Sequence, residues 1–362
     1  MIALIVPSNL KYAPYVQYYI KTLDNKKIEY EIITWNRKNL IEEKSNYSFN
    51  YYVSDNERKK VLYGYLKFSF FVKKIINRRK YNKLIVFTIG AAFFISDLLL
   101  IKYKKKYIFD IRDASIITKK MAYVFKKICH NANSIIVSSK EFDSWIPART
   151  IICHNVDKDM LINHINDNLY YQKSKINKIV FAGILNEWEI NNELINLFAN
   201  NSKYEFEFIG VENEGKKKLI ESVINNNIKN VKFTGTYNKE DIIKIYRENA
   251  TLVNVIRKES IVNAQAIPNK LYDAVISGIP IIVLKHNLVL AKMTEKYKLG
   301  IVINELNVEE IERKIRKFES VYLNTGKYYK NRKLFLMQVM KDIEKYEKTI
   351  SLFITKNEDK ND

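Results

Sequence analysis

The stretch AIPNKLYDAVISGIPIIVL, residues 266–284, carries a run of backbone instructions. Asn269 reads as an N-cap, because its side-chain oxygen can accept from an unpaired amide of a first helical turn. Leu271, Tyr272, Val275 and Ile276 recur at helical spacing. Gly278 suits the left-handed position just past a helix, and Pro280 forbids continuation. PIIVL then reads as a buried strand. The segment is a loop, a helix of about three turns and a core strand.

The same alternation runs outward in both directions. IALIVP, IEYEIITW, KLIVFT, YIFDIRD, SIIVSS and RTIICHN read as strands, separated by helical patterns such as APYVQYYIKTL and SIITKKMAYVFKKICHN. Strand and helix in alternation predict a mostly parallel sheet covered on both faces. After the polar stretch 158–177 the pattern restarts with KIVFAG, YEFEFIG, NVKFTG, ATLVNVI, IPIIVL and GIVIN. At 362 residues the chain exceeds what one core normally supports. We therefore expect an α/β protein of two Rossmann-like doubly wound domains, residues 1–160 and 170–325. A long helix over about 328–355 is expected to return to the first domain, and residues 356–362 to be a disordered tail.

Composition narrows the function. Two cysteines, Cys129 and Cys153, and four histidines without metal-ligand spacing argue against a disulfide framework or a zinc site. They fit a reducing, cytoplasmic setting. MIALIVPSNL lacks the basic start of a signal peptide. Residues 84–101 are long enough to cross a bilayer, but Asp97 interrupts them and TIG divides a strand pattern from a helix pattern, so a strand, turn and buried helix is expected. The net charge of +21 asks for an anionic partner, whether nucleic acid, lipid headgroup or phosphorylated substrate. A compositional bias toward Lys is the alternative explanation. No aromatic-basic nucleic-acid motif stands out, so no nucleic acid is expected. In FSFFVKKIINRRKY, residues 68–81, Phe68, Phe71, Val72, Ile75 and Ile76 share one face edged by Lys73, Lys74, Arg78 and Arg79. That face suits peripheral contact with the anionic inner face of the plasma membrane, or else an ordinary core.

Ligands of doubly wound sheets bind beyond the carboxyl ends of the strands. Gly183, Gly210 and Gly235 end three strands of the second half. Glycine there lets a ligand approach the backbone, or simply makes a tight turn. The helix start near Asn269 offers unpaired amides and partial positive charge, a seat for phosphate. Lys270 has the wrong sign for the helix dipole, a penalty of about 0.3–1 kcal/mol. A charge-assisted hydrogen bond to an anion, at about 1.5–3 kcal/mol, outweighs it. Asp273, one turn on, could accept from ribose hydroxyls. A solvated Lys and a surface Asp is the plainer alternative.

VKFTGTYNKEDIIKIYRENATLVNVI followed by AIPNKLYDAVISGIPIIV resembles the donor half of GT-B-fold glycosyltransferases, in particular glycosyltransferase family 4. The PNKLYD variant is similar to that of transferases building bacterial surface polysaccharides such as capsule and lipopolysaccharide. Asp273 stands at the second Glu of the family's spaced Glu pair, and Gln265 at the first. YIFDIRDAS resembles the strand after which the family carries a His or an Arg-Asp pair facing the donor sugar, which makes Arg112 and Asp113 the implied catalytic residues. NANSIIVSSKEF and TIICHNVDKDM resemble further family segments, the second with Asn155 where Gly is usual. The resemblance implies two domains facing a central cleft. It implies retaining, metal-independent transfer from a nucleotide-sugar co-substrate, with no other cofactor, to a glycan or polyprenyl-phosphate-linked acceptor. The implied donor-binding residues are Gly183, Gly210, Tyr237, Arg257, Gln265, Pro268, Asn269, Lys270 and Asp273.

There are departures. FAGILNEWEINNE lacks the Arg and Lys usual in that loop, so diphosphate neutralisation falls to Lys270, Arg257 and Lys258. PSNLKYAP replaces a glycine-rich loop. Asp157-Lys158-Asp159 has the Asp-x-Asp form of a metal site, a match common by chance, and no metal is expected there. A nucleotide-sugar epimerase of the same architecture and a non-catalytic basic protein binding RNA or membrane are the competing readings.

Overall fold

A computed structural model describes residues 1–41, 44–53, 57–113, 115, 117–167 and 175–355. The expected tail, 356–362, and part of the expected linker lie outside the described residues. The chain divides into two units, Met1–Asn155 with Lys341–Asp362, and Val156–Met340.

The first unit runs β1 (Ile2–Val6), α1 (Val16–Asn25), β2 (Tyr30–Asn36), β3 (Tyr47–Asn50), α2 (Arg58–Arg78), β4 (Lys83–Phe87), α3 (Ile89–Phe94), α4 (Ser96–Ile101), β5 (Tyr107–Ile111), α5 (Ile117–Lys120), α6 (Ala122–Asn131), β6 (Ser134–Val137) and β7 (Thr150–Ile152). Among the described residues these strands form one parallel sheet, ordered β3-β2-β1-β4-β5-β6-β7. Alternate side chains enter two separate cores, as the pleat requires. Ala3, Ile5, Leu84, Val86 and Phe109 meet the layer α2 to α6. Leu4, Val6, Ile85, Phe87 and Ile108 meet α1 and the end of the last helix, through Tyr346, Ile350 and Phe353. Burial on both faces explains why the strands read as continuous apolar runs. Residues 84–101 form β4, α3 and α4, and among the described residues no helix is long and apolar enough to cross a membrane.

Three local readings change. β3 was not expected: it is an edge strand of half-exposed residues, YSFN, with too little apolar alternation to signal itself. The helix expected from SIITKKMAYVFKKICHN is two helices, because Met121 leaves helical geometry at φ −125° and ψ 41°. The apolar face of 68–81 belongs to the core, with Phe68, Val72, Ile75 and Ile76 buried and Phe71 packed at its edge.

The second unit runs α7 (Lys158–Ile165), β8 (Lys178–Ala182), α8 (Trp188–Leu197), β9 (Glu205–Ile209), α9 (Glu214–Asn225), β10 (Val231–Thr234), α10 (Ile242–Asn249), β11 (Leu252–Asn254), α11 (Ile261–Gln265), α12 (Asn269–Ser277), β12 (Ile281–Leu284), α13 (Leu288–Tyr297), β13 (Gly300–Ile303), α14 (Val308–Phe318) and α15 (Lys327–Thr355), whose final turns belong to the first unit. Its strands form a parallel sheet ordered β10-β9-β8-β11-β12-β13. α12 buries Leu271, Tyr272, Val275 and Ile276, then stops at Gly278 in the left-handed conformation, φ 78°.

Trp35 is fully buried beneath α2, and Gly64 makes room for it: a Cβ there would lie 2.2 Å from the indole ring. Replacing Gly64 by Ala gains about 1 kcal/mol of helix propensity. Overpacking a filled core costs about 1–3 kcal/mol. Gly64→Ala is therefore expected to lower the melting temperature, and a rise in thermal or urea unfolding would contradict this account of α2 packing.

Candidate functional site

The second sheet reverses its strand order between β8 and β11. Ligands of open α/β sheets bind in the crevice that such a reversal opens at the carboxyl edge. At β8, Gly183 takes φ 133° and its amide donates to the Ile209 carbonyl at 2.8 Å. At β9, a Cβ on Gly210 would stand 2.2 Å from the Gly183 carbonyl oxygen, so that position admits only glycine. Gly235 has open space around it and carries no such constraint.

α12 points its amino end at this edge. The N-cap is Pro268, in extended geometry, and no side chain caps the first turn. Asn269 is the first helical residue rather than the expected cap, because Pro268 supplies the carbonyl that accepts from Leu271. No side-chain cap takes up the amides of Asn269 and Lys270. Lys270 reaches back over β8, with its Nζ 4.3 Å from the centre of the Phe181 ring. A Cβ on Gly183 would be 3.2 Å from that Nζ. Burial pulls the Lys270 pKa down to about 8, and Arg257 adds to the effect while Asp273 and Glu187 oppose it. Burial pushes Asp273 up to about 6, against Lys239 and Lys270. Tyr237 is raised by burial and then by Asp273. Lys239, absent from the sequence-based candidates, therefore belongs beside Tyr237 and Asp273.

Further polar groups tie the loops together. Glu187 accepts from the Lys258 amide and from Asn263 Nδ2, both at 2.8 Å. Asn254 Nδ2 donates to Asn191 Oδ1 at 2.8 Å, and both asparagines are buried. The loop after β8, which lacks the expected cations, is thus held by its carboxylate to the loop after β11. Arg257 is half-buried and Lys258 exposed. The Gln265 side-chain oxygen is buried with no hydrogen-bond partner. Lys216 also escaped sequence reading, since it sits in the run EGKKK and looks like surface. It is buried in the first turn of α9, and its Nζ donates to the Gly210 carbonyl at 2.9 Å and the Thr234 carbonyl at 2.7 Å. A groove of about 820 Å³ lies at the opposite, amino edge of this sheet. Its lining includes the cross-strand ion pairs Lys178–Glu205 and Lys232–Glu207.

Residues 169–335 match the family described as glycosyl transferases group 1. This is a glycosyltransferase of the GT-B fold. The solved structures it resembles include the sucrose-phosphate synthase of Thermosynechococcus elongatus, at 14% identity and a TM-score of 0.65, covering 96% of this chain and 97% of that one. The Anabaena HepE protein in complex with UDP is similar at 14% identity and a TM-score of 0.66, covering 97% and 99%. The α,α-trehalose 6-phosphate synthase of Burkholderia multivorans is similar at 10% identity and a TM-score of 0.65, covering 98% of each chain. No curated protein sequence matches it.

In the first unit of the glycosyltransferase, Arg112 is almost fully buried. Its guanidinium donates to both carboxylate oxygens of Asp110, to the Cys153 carbonyl at 3.0 Å and to Asn155 Oδ1 at 3.1 Å. It also stacks 4.5 Å from the centre of the Tyr15 ring. Asp110 accepts in turn from Tyr19 at 2.6 Å. Arg112 is therefore a fixed strut at the carboxyl edge of β5, while Asp113 is exposed just beyond it. Asp157 of the Asp-x-Asp run accepts from the amides of Asp159 and Met160, which makes it the N-cap of α7. Among the described residues no group of three or more His, Cys, Asp or Glu could hold a metal ion.

The two shifted groups set a pH window. Lys270 is protonated below about pH 8 and Asp273 ionised above about pH 6. Affinity for a nucleoside diphosphate is expected to peak between these values and to fall on both sides in calorimetric titrations. Lys270→Arg should remove the alkaline fall, since Arg stays charged. An alkaline limb unmoved by Lys270→Arg would assign it to another group.

Proposed function

We propose that this glycosyltransferase moves a sugar from a nucleoside-diphosphate sugar to a hydroxyl of a glycan or polyprenyl-phosphate-linked acceptor in bacterial surface-polysaccharide synthesis. The carrying observation is the uncapped amino end of α12 beside Lys270, facing the glycine-walled ends of β8 and β9. Negative charge builds on the leaving diphosphate as the glycosidic bond breaks. Fixed amides and a desolvated ammonium stabilise such charge far better than water does, because they need no reorganisation. Lys270 and the amides after Pro268 would hold the diphosphate, with Arg257 beside them. Asp273 would accept from the ribose hydroxyls, with Tyr237 next to it. Gln265 would accept from a sugar hydroxyl, which satisfies its otherwise unpaired oxygen. Gly183 and Gly210 would let the nucleotide lie against the backbone.

Retention, the absence of a metal or other cofactor, the surface-polysaccharide role and the parts of Arg112 and Asp113 at the reacting carbon rest on the resemblance of the sequence to its family. With Arg112 bonded to Asp110, its part would be to position the Asp113 backbone. The UDP bound to the HepE protein makes UDP the first ligand to test. UDP at 100 times its dissociation constant should stabilise the fold by about 2.7 kcal/mol. The match to group 1 transferases favours transfer over epimerisation, and the products decide between them: an epimerised nucleotide-sugar formed without acceptor would overturn the proposal.

Two substitutions probe it further. Lys270→Ala should lower turnover more than tenfold with the fold intact, and unchanged kinetics would remove its phosphate role. Gln265→Leu should leave stability equal or higher, because an unpaired buried carbonyl costs about 1–3 kcal/mol. The same change should raise KM for the donor. Lower stability with an unaltered KM would count against the sugar contact.

A further inference from the structure

We propose that the outer face of α2 docks the first unit onto an anionic membrane surface, the helix lying in the plane of the headgroups. This face lies opposite the apolar side of α2 that packs into the core. Phe68, Val72, Ile75 and Ile76 are in the core. On the other side, Leu62, Tyr63, Leu66 and Phe70 are 59%, 52%, 40% and 63% exposed. They fall at spacings of one, four and eight residues from Leu62, which gathers them into one stripe of the helix. Lys73 bonds Asp97 of α4 at 2.8 Å, and one turn beyond Asp97 stands Ile101, 83% exposed.

The charge carried by α2 itself has one sign, and the acids beside it, Asp97 and Glu57, are paired to its Lys73 and Lys60. α2 contains no Asp or Glu along its 21 residues. Lys59, Lys67, Lys74 and Arg78 flank the stripe and are exposed. Lys67 is drawn over the Tyr63 and Tyr51 rings, with its Nζ 4.6 and 5.0 Å from their centres. An apolar stripe rimmed by cations is complementary to a bilayer, which offers acyl chains beneath a sheet of anionic headgroups. Long Lys stems let the charges reach the headgroups while the apolar tips sink. Each Lys or Arg near such a surface adds about 1 kcal/mol. A second copy of this chain fits poorly, because two such faces would oppose like charges with no acid on α2 to pair them. Nucleic acid offers no counterpart for Leu62, Leu66 and Phe70.

Vesicle co-sedimentation of the full chain tests this. Wild type is expected to bind vesicles of phosphatidylcholine with phosphatidylglycerol at least about tenfold more tightly than phosphatidylcholine alone. Leu66→Ser with Phe70→Ser should weaken binding at least about tenfold, and so should Lys67→Glu with Lys74→Glu. Leu334→Ser, which removes an exposed apolar residue of the second unit, should leave binding unchanged. Melting temperatures should not move, since all these side chains are exposed. Should a double variant unfold, Phe70→Trp provides the reading: its added fluorescence should shift to the blue on adding anionic vesicles. The proposal is overturned if wild type stays in the supernatant, if the Leu66/Phe70 variant binds as well as wild type, if Leu334→Ser weakens binding equally, or if the Phe70→Trp emission does not move. It also falls if light scattering shows a dimer that Phe70→Ser dissolves, which would make the face a self-association surface.

Discussion

The candidate site depends on how α12 is anchored. Arg332 of α15 is buried, and its guanidinium donates to the carbonyls of Val275 at 2.6 Å, Ile276 at 2.8 Å and His164 at 2.9 Å. Two of these belong to the last turn of α12, where backbone carbonyls otherwise lack partners. A cation at a helix carboxyl end also complements the dipole. Burial draws the Arg332 pKa down, which measures the desolvation that these bonds must offset. With Gly278 ending the helix and Leu271, Tyr272 and Val275 in the core, α12 has little freedom to slide. Its carboxyl end is held by side-chain partners, while no side chain caps its amino end, which lies beside Gly183 through Lys270.

Much of this was legible in the sequence, for reasons that are local. Gly278 and Pro280 bound the helix whatever surrounds them, and the branched runs of the strands reflect burial on two faces. What escaped depends on residues distant in the chain. Lys216 looks like any member of a lysine run until the Gly210 and Thr234 carbonyls are seen around its ammonium. Arg332 lies more than fifty residues from the carbonyls it binds. Asn269 carries the right chemistry for a cap, but the chain direction set by Pro268 starts the helix one residue early. α2 had its amphipathic pattern visible, yet the pattern alone could not say that both of its sides carry apolar residues for different reasons.

The first unit shows a comparable economy in its polar core. Asp110 is fully buried and would be costly there as an isolated charge. Arg112 and Tyr19 satisfy both of its oxygens, and Tyr346 packs edge-on to Tyr19 at 5.4 Å. The pair fixes the carboxyl edge of β5, where Asp113 emerges. Removing one member would strand the other, so the arrangement favours a unique geometry more than it adds net stability. Thr88, at the end of the adjacent β4, adds to the same edge a backbone held at φ 70° and ψ 150°, a conformation that non-glycine residues adopt only under constraint.

The dual membership of α15 has a consequence for biosynthesis. Tyr346, Ile350 and Phe353, which follow the second unit in the chain, close a core whose first strand is Ile2–Val6. As the polypeptide leaves the ribosome, one side of that first sheet stays only partly roofed until the whole of the second unit, Val156–Met340, has been made. The nascent first unit must therefore wait, sticky and incompletely shielded, for a wall that follows the second unit in the chain, which makes it a natural client of chaperones.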